Sequence, residues 1–181
     1  WEMRPRAFLR TTEFLWQEGH TAHATREEAL LMVKAMLNEY KELAENLLAI
    51  PVVVGEKTAN ERFAGGEITT TIEGLMGDGK ALQMGTSHLL QQSFPASFDV
   101  KFQAEDGTNK TPWCTSWGAT TRLIGALVMS HGDERGLALP PRVAPIQVVI
   151  IPIGSKDDFV NAKAKAHELA AQLTTAGVRV V

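Results

Sequence analysis

The stretch Phe8-Leu9-Arg10-Thr11-Thr12-Glu13-Phe14-Leu15-Trp16-Gln17-Glu18-Gly19-His20 decides how this chain is read. Its aromatic and β-branched content predicts a β-strand. A purely structural strand alternates its side chains and turns the charged ones to water. Here Arg10, Glu13, Glu18 and His20 stand among large apolar residues, a mixture suited to a cleft whose ligand is both charged and flat.

Working outward, residues 1–20 predict two strands joined by a turn near Arg4-Pro5-Arg6. Thr25-Arg26-Glu27-Glu28 has the spacing of a capping box. The helix it opens carries Ala29, Val33, Met36, Leu37, Tyr40, Ala44, Leu47 and Leu48 on one stripe and should end near Ala49, ahead of Pro51. A strand over 51–54 and a glycine-bearing loop over 55–66 follow. Strands over 67–76 and 80–85 flank Gly77-Asp78-Gly79, a hairpin signal. The pattern then predicts a short helix or turn over 88–94, a strand over 97–103, a turn at Asp106-Gly107, a strand over 113–118 and a helix over 119–131. Glycines and prolines mark 132–145 as a linker. An apolar strand over 146–153, a helix from Ser155 to about Ala176 and a strand from Val178 form a β-α-β unit. The fold class is therefore α+β: an antiparallel-sheet part over 1–144, then the start of an α/β domain over 145–181.

The 181 residues are 44% hydrophobic and 22% charged, enough for one sizeable core. A net charge of −3 gives no overall basic field, so any nucleic-acid contact must rest on a local patch. The single cysteine, Cys114, excludes an internal disulfide, fits a reducing, cytoplasmic setting and reads as a small half-buried residue. No apolar run reaches the roughly 20 residues a membrane helix needs, and no signal peptide is visible. A chain opening on Trp1 and closing on Val178-Arg179-Val180-Val181 is expected to be a piece of a longer protein.

Four blocks bear on chemistry. The first is Trp1-Glu2 with the opening stretch. The second runs Lys57-Thr58-Ala59-Asn60-Glu61-Arg62-Phe63-Ala64-Gly65-Gly66 and on to Thr69-Thr70-Thr71-Ile72-Glu73. The third is Gln83-Met84-Gly85-Thr86-Ser87-His88, and the fourth is Thr115-Ser116-Trp117-Gly118-Ala119-Thr120-Thr121-Arg122. Taken singly, Phe14 reads as core, Arg10 as a solvated charge, Glu73 as a solvated strand carboxylate and His88 as a satisfied structural histidine. Taken in order, the blocks resemble the second motif, two specific inner segments and the third motif of the prolyl-tRNA synthetases, which are class II aminoacyl-tRNA synthetases. His131-Gly132-Asp133-Glu134-Arg135-Gly136-Leu137-Ala138-Leu139-Pro140-Pro141-Arg142-Val143-Ala144-Pro145 resembles that family's join between catalytic and anticodon-binding domains.

The resemblance implies that 1–144 is a partial class II catalytic domain and 145–181 the beginning of an anticodon-binding domain. It implies a proline–tRNA ligase in the intact protein, using ATP with Mg²⁺ to form prolyl-adenylate and then charging tRNA(Pro), as a homodimer. Glu2, Arg10, Thr11, Phe14, Gln83, Thr86, Thr120 and Arg122 would hold ATP, with Arg10 and Arg122 acting in catalysis. Glu2 would meet the adenine amino group, Phe14 would stack on the ring, and Arg122 would take the outer phosphates. Trp16, Glu73 and His88 would form the proline pocket, and no residue is expected to hold a metal. The family usually has glycine where Gln91 stands, so the fit of His88 is expected to differ locally. The first motif, the threonine-any-glutamate loop and the arginine of the second motif are absent, so these residues alone should not activate proline. A non-charging synthetase-like paralogue that binds amino acid or tRNA, and an ordinary α+β binding module, are the other readings; the joint retention of the site residues favours the enzyme.

Overall fold

The computed structural model describes residues 2–181, apart from the side chains of Lys156 and Asp157. Trp1, which the resemblance places with Glu2 in the second motif, lies outside the described residues. The chain divides into two compact units, one running to Ala138 and the other from Leu139 to Val181.

The first unit is an antiparallel sheet with helices. Strand β1 is Trp16–His23, helix α1 is Arg26–Glu42, β2 is Val52–Glu56, β3 is Ile68–Leu75 and β4 is Ala81–Gln91. A short helix α2 (Ser93–Ser97) and the small hairpin β5 (Phe102–Gln103) and β6 (Asn109–Lys110) lead to β7 (Trp113–Thr120) and α3 (Arg122–His131). A last hairpin joins β8 (Gly132–Asp133) to β9 (Gly136–Leu137). The main sheet has the order β1-β7-β4-β3-β2, every neighbouring pair antiparallel.

The capping box forms: the Thr25 hydroxyl accepts from the Glu28 N–H, and the Glu28 carboxylate accepts from the Thr25 N–H. It fixes where α1 begins and so which stripe faces the sheet. Ala29, Val33, Leu37, Tyr40 and Ala44 are buried, as the stripe predicts, whereas Leu47 is 40% exposed. A π-helical turn over Leu43–Leu47 rotates the last turn away, and Ala49 breaks the helix with φ +53°. Helices α1 and α3 bury one sheet face through Leu37, Tyr40, Trp117, Met84 and Ala126. The other face is left for the candidate site.

Three local expectations fail. Residues 8–15 are not strand. β1 begins at Trp16, opposite Thr120, where β7 ends and the chain turns into α3; past that point one backbone bond, from the Thr121 N–H to the Leu15 carbonyl (3.0 Å), is the last link to β7, and no strand of the described sheet lies opposite the residues before it. Instead Arg6 and Arg10 exchange backbone hydrogen bonds of 2.7 and 2.9 Å across a tight turn, with Phe8 at φ +60°. His88–Gln91 continues β4 rather than forming a helix or turn, because Leu89 pairs with Thr115 and Thr69 with His88. The alternating run 97–103 holds the last residue of α2, Ser97, then a turn and irregular chain, with only Phe102–Gln103 in a strand.

In the second unit, α4 spans Lys156–Thr175, and the Ser155 hydroxyl accepts from the Asp158 N–H. The apolar run 146–153 does not form a full strand. It pairs in parallel at Val148↔Val180, and its backbone bonds to Arg179 and Val181 run only from Gln147 to Ile150. Arg179 ties this unit by donating to the carbonyls of Ala144 (2.8 Å), Pro141 (2.8 Å) and Arg142 (3.1 Å).

Candidate active site

Facing residues of an antiparallel ladder share a face, so the register assigns the open face of the sheet. Trp16 faces Thr120, Glu18 faces Gly118 and His20 faces Ser116. Gly118 in turn faces Thr86, and Ser116 faces His88. Thr86 faces Thr71, His88 faces Thr69 and Gln83 faces Glu73. The expected proline-side residues Trp16, Glu73 and His88 therefore stand on one face, together with Thr86 and Gln83.

At the end of this face where α3 starts, a cavity of about 360 Å³ is lined by Glu2, Arg10, Thr11, Phe14, Gln83, Thr120 and Arg122, with Phe8, Leu9, Met84, Gly85, Gly118 and Ala119 completing its walls. Seven of the eight residues expected on the nucleotide side meet here, from four separated segments. The exception is Thr86, which lies farther along β4 opposite Gly118. Glu2 accepts from the Arg4 N–H at 3.0 Å and pairs with Arg10 at 3.6 Å. Phe14 stands edge-on to Trp16, ring centres 6.0 Å apart and planes at 83°, and as a residue is 51% exposed. Arg122 donates from Nε to the Leu9 carbonyl (3.1 Å) and from a terminal nitrogen to the Gln83 carbonyl (3.4 Å). Thr120 is the last residue of β7, not the first turn of the helix, and its hydroxyl accepts from the Arg122 N–H at 3.1 Å. With two guanidinium groups against one carboxylate, the cavity suits an anion beside an aromatic ring.

Gln83 also lines a second, wider cavity of about 810 Å³ that holds Glu73, Lys57, Thr71 and Glu61. Glu73 is not a free carboxylate. Lys57 Nζ lies 3.5 Å from it, and the Thr71 hydroxyl donates to it at 3.4 Å. Trp16 and His88 share the face with Glu73 but do not line that cavity.

His88 is held on two sides. Its Nδ1 is 3.1 Å from the Thr69 hydroxyl, and its ring lies 5.1 Å from that of Phe63. The same hydroxyl accepts from the Phe63 N–H at 3.1 Å, so the loop and the histidine share one anchor. Burial, and then the nearby positive charge of Lys57, push the His88 pKa below its ordinary value and keep the ring neutral. Three residues join this wall that the sequence reading did not assign to it: Glu18 and His20, paired at 3.0 Å, and Phe63. Counting by twos from Trp16 along β1 reaches Glu18 and His20. Phe63 sits in a loop, and only the fold brings it to His88.

Among the described residues no group of three His, Cys, Asp or Glu is placed to hold a metal ion, and no helix is long and apolar enough to cross a membrane.

Comparison with known proteins gives a consistent set of likenesses. Residues 2–131 match the family model of the tRNA synthetase class II core domain (G, H, P, S and T). The proline–tRNA ligase of Flavobacterium psychrophilum is 57% identical over 99% of this chain, and that of Frankia alni is 54% identical over the same share. The chain spans 37% and 38% of the length of these two relatives. Among solved structures, prolyl-tRNA synthetase from Cryptosporidium parvum complexed with L-proline and AMP superposes with a TM-score of 0.90 at 52% identity. It covers all of this chain and 39% of its own. The same enzyme complexed with halofuginone and AMPPNP gives a TM-score of 0.90 at 51% identity, covering 99% of this chain and 37% of its own.

Proposed function

This chain belongs to the class II tRNA synthetase core-domain family, on its prolyl branch, and on that premise we propose that the whole protein is a proline–tRNA ligase. The observation that carries the reading is the single cavity gathering Glu2, Arg10, Thr11, Phe14, Gln83, Thr120 and Arg122. In the reaction, a proline carboxylate oxygen attacks the α-phosphorus of ATP, the bond to the β-phosphate oxygen breaks, and pyrophosphate leaves with the electron pair. The 3′-terminal hydroxyl of tRNA(Pro) then attacks the acyl carbon and AMP departs. Such chemistry asks the protein for alignment and charge neutralisation rather than covalent participation.

Arg10 and Arg122 meet the phosphates, Phe14 stacks on the adenine, and Glu2 accepts from its exocyclic amine. Thr11, Gln83 and Thr120 complete the nucleotide contacts, and Thr86 carries them toward the amino acid. Trp16, Glu73 and His88, with Glu18, His20 and Phe63, hold the proline. A neutral His88 suits a site that must grip an imino acid without repelling its cation. Magnesium would arrive on the triphosphate, whose oxygens suit it; Glu2, the carboxylate of the nucleotide cavity, is engaged by Arg10. The intact protein works as a cytoplasmic homodimer, and 145–181 opens its anticodon-binding domain.

The test is pyrophosphate exchange into ATP by the full-length protein, with proline and with other amino acids in turn. Exchange that depends on proline is the expected result. ATP and proline binding with no exchange would favour the non-charging paralogue.

A further inference from the structure

Gly125 occupies the middle of α3 and is buried, at a position where alanine is the better helix former. What a methyl group there would meet is specific. A Cβ on Gly125 would lie 2.5 Å from Leu9 Cδ2, 3.0 Å from Leu9 Cγ and 3.3 Å from the Phe8 Cβ. Leu9 belongs to the 6–10 turn, which closes on itself through the reciprocal Arg6–Arg10 bonds. One turn earlier on the same side of α3, Arg122 donates to the carbonyl of that same Leu9. The helix thus grips Leu9 twice, by its carbonyl and by its side chain. The next residue, Arg10, lines the nucleotide cavity.

We propose that Leu9 and Gly125 form a seat that positions the 6–10 turn, and with it Arg10, over the nucleotide cavity. They are positioning residues: neither supplies a charge or hydrogen bond to the reaction. The absence of a side chain at Gly125 lets the turn sit close enough for Arg122 to reach the Leu9 carbonyl, so both guanidinium groups share one alignment. The contact is geometric; only its ligand rests on the adenylate-forming reading above.

The experiment uses the full-length protein with Gly125→Ala, Leu9→Ala and the double variant. One readout is proline-dependent pyrophosphate exchange, giving KM for ATP, KM for proline and kcat. The other is the rate of trypsin cleavage after Arg6 and Arg10, followed by mass spectrometry. Gly125→Ala should raise KM for ATP about five- to tenfold while KM for proline stays within about twofold. Its melting temperature should hold or rise, because alanine favours the helix, while cleavage after Arg10 speeds up. A purely structural role would move stability and activity together. Leu9→Ala in the Gly125→Ala background vacates the overlapped space, so the double variant should recover KM for ATP relative to Gly125→Ala alone. Unchanged KM for ATP and unchanged cleavage in Gly125→Ala, or effects that simply multiply in the double variant, would overturn the proposal. Wild-type protein without proline-dependent exchange would sink the activity reading instead, and the cleavage rates would still decide the seat.

Discussion

Trp16, Glu18, His20, Thr86 and His88 ride on strands, whereas Glu2, Arg10, Thr11 and Phe14 ride on a loop. The first group is fixed by ladders on neighbouring strands: β7 runs between β1 and β4, and each residue has a named partner across it. The second group hangs on few attachments, chiefly Arg122 to the Leu9 carbonyl and the Leu9 side chain against Gly125. A strand-borne wall is overdetermined, so one substitution should cost stability before geometry. A loop-borne wall is underdetermined, so one substitution should cost geometry before stability. This division suits the proposed proline–tRNA ligase, which would hold a small rigid ring tightly and admit and release a large polyanion.

The largest expected effect falls on the loop side. Arg122→Ala in the full-length protein removes the proposed phosphate donor and, with it, an anchor of the 6–10 turn. Loss of one preorganised donor typically lowers kcat by about 10²–10³, some 2.7–4 kcal/mol of transition-state stabilisation. Circular dichroism should show a folded protein. Arg122→Lys should not rescue it, since a point ammonium cannot span the Leu9 and Gln83 carbonyls as a planar fork does. Near-normal pyrophosphate exchange in either variant would remove Arg122 from the site.

On the strand side the corresponding change is Gly19→Ala. Gly19 faces Trp117, and a Cβ there would overlap Cε2 and Cζ2 of that buried indole. The ring cannot swing away, because it is packed in the core with Leu37, Tyr40 and Met84. Overpacking of this kind costs about 1–3 kcal/mol, read as a lower denaturation midpoint in urea. Should the midpoint hold while KM for proline rises, the proposed difference between the two walls would be wrong.

The same division explains what the sequence disclosed. The α1 stripe, its capping box, the β3–β4 hairpin and the β7–α3 junction were all legible, since each rests on local periodicity or on a turn between neighbours. The stretch around Phe8 was misread as strand because its composition suits one, while strand formation needs a partner, and β7 ends at Thr120, opposite Trp16. His88–Gln91 was misread because the short-range pattern does not reveal Thr115 and Cys114 waiting across the sheet. The cavity residues were recognisable through resemblance and order, not through spacing. Phe63 escaped notice because only a shared hydroxyl, that of Thr69, ties its loop to His88.

A pH titration sharpens the strand side further. The His88 pKa lies below its ordinary 6.5 through burial and then the Lys57 charge, so the unfolded chain takes up this proton before the folded one does. Stability rises with pH wherever the unfolded state binds more protons. The His88 contribution is therefore complete above pH 6.5 and is lost as the pH falls below 6.5 toward the folded-state value. Comparing urea midpoints of wild type and His88→Gln over this window should show a shallower acid loss in the variant. Identical slopes would mean that His88 titrates alike in both states.

The smallest effect is expected at Gln91, three positions after His88 on the same strand. Its φ is +61°, a left-handed conformation, and it sits where the β4–β7 register slips between Leu89 and Gln91. A non-glycine residue there loses about 1–2 kcal/mol to crowding of its Cβ against the backbone. Glycine relieves that strain but adds roughly 0.4–1 kcal/mol of unfolded-state freedom that folding must overcome. Gln91→Gly should therefore change stability by between about 0 and 1.6 kcal/mol, in the stabilising direction, by the difference of these two opposed quantities. The Gln91 side chain is exposed, so little packing is removed. If the strand wall is overdetermined, His88 keeps its contacts with Thr69 and Phe63 across this change, and KM for proline in the full-length protein stays within about twofold of wild type. A marked rise in KM for proline alongside a gain in stability would show instead that the strained glutamine sets the height of His88, and that the strand wall is tuned by a single residue just as the loop wall is.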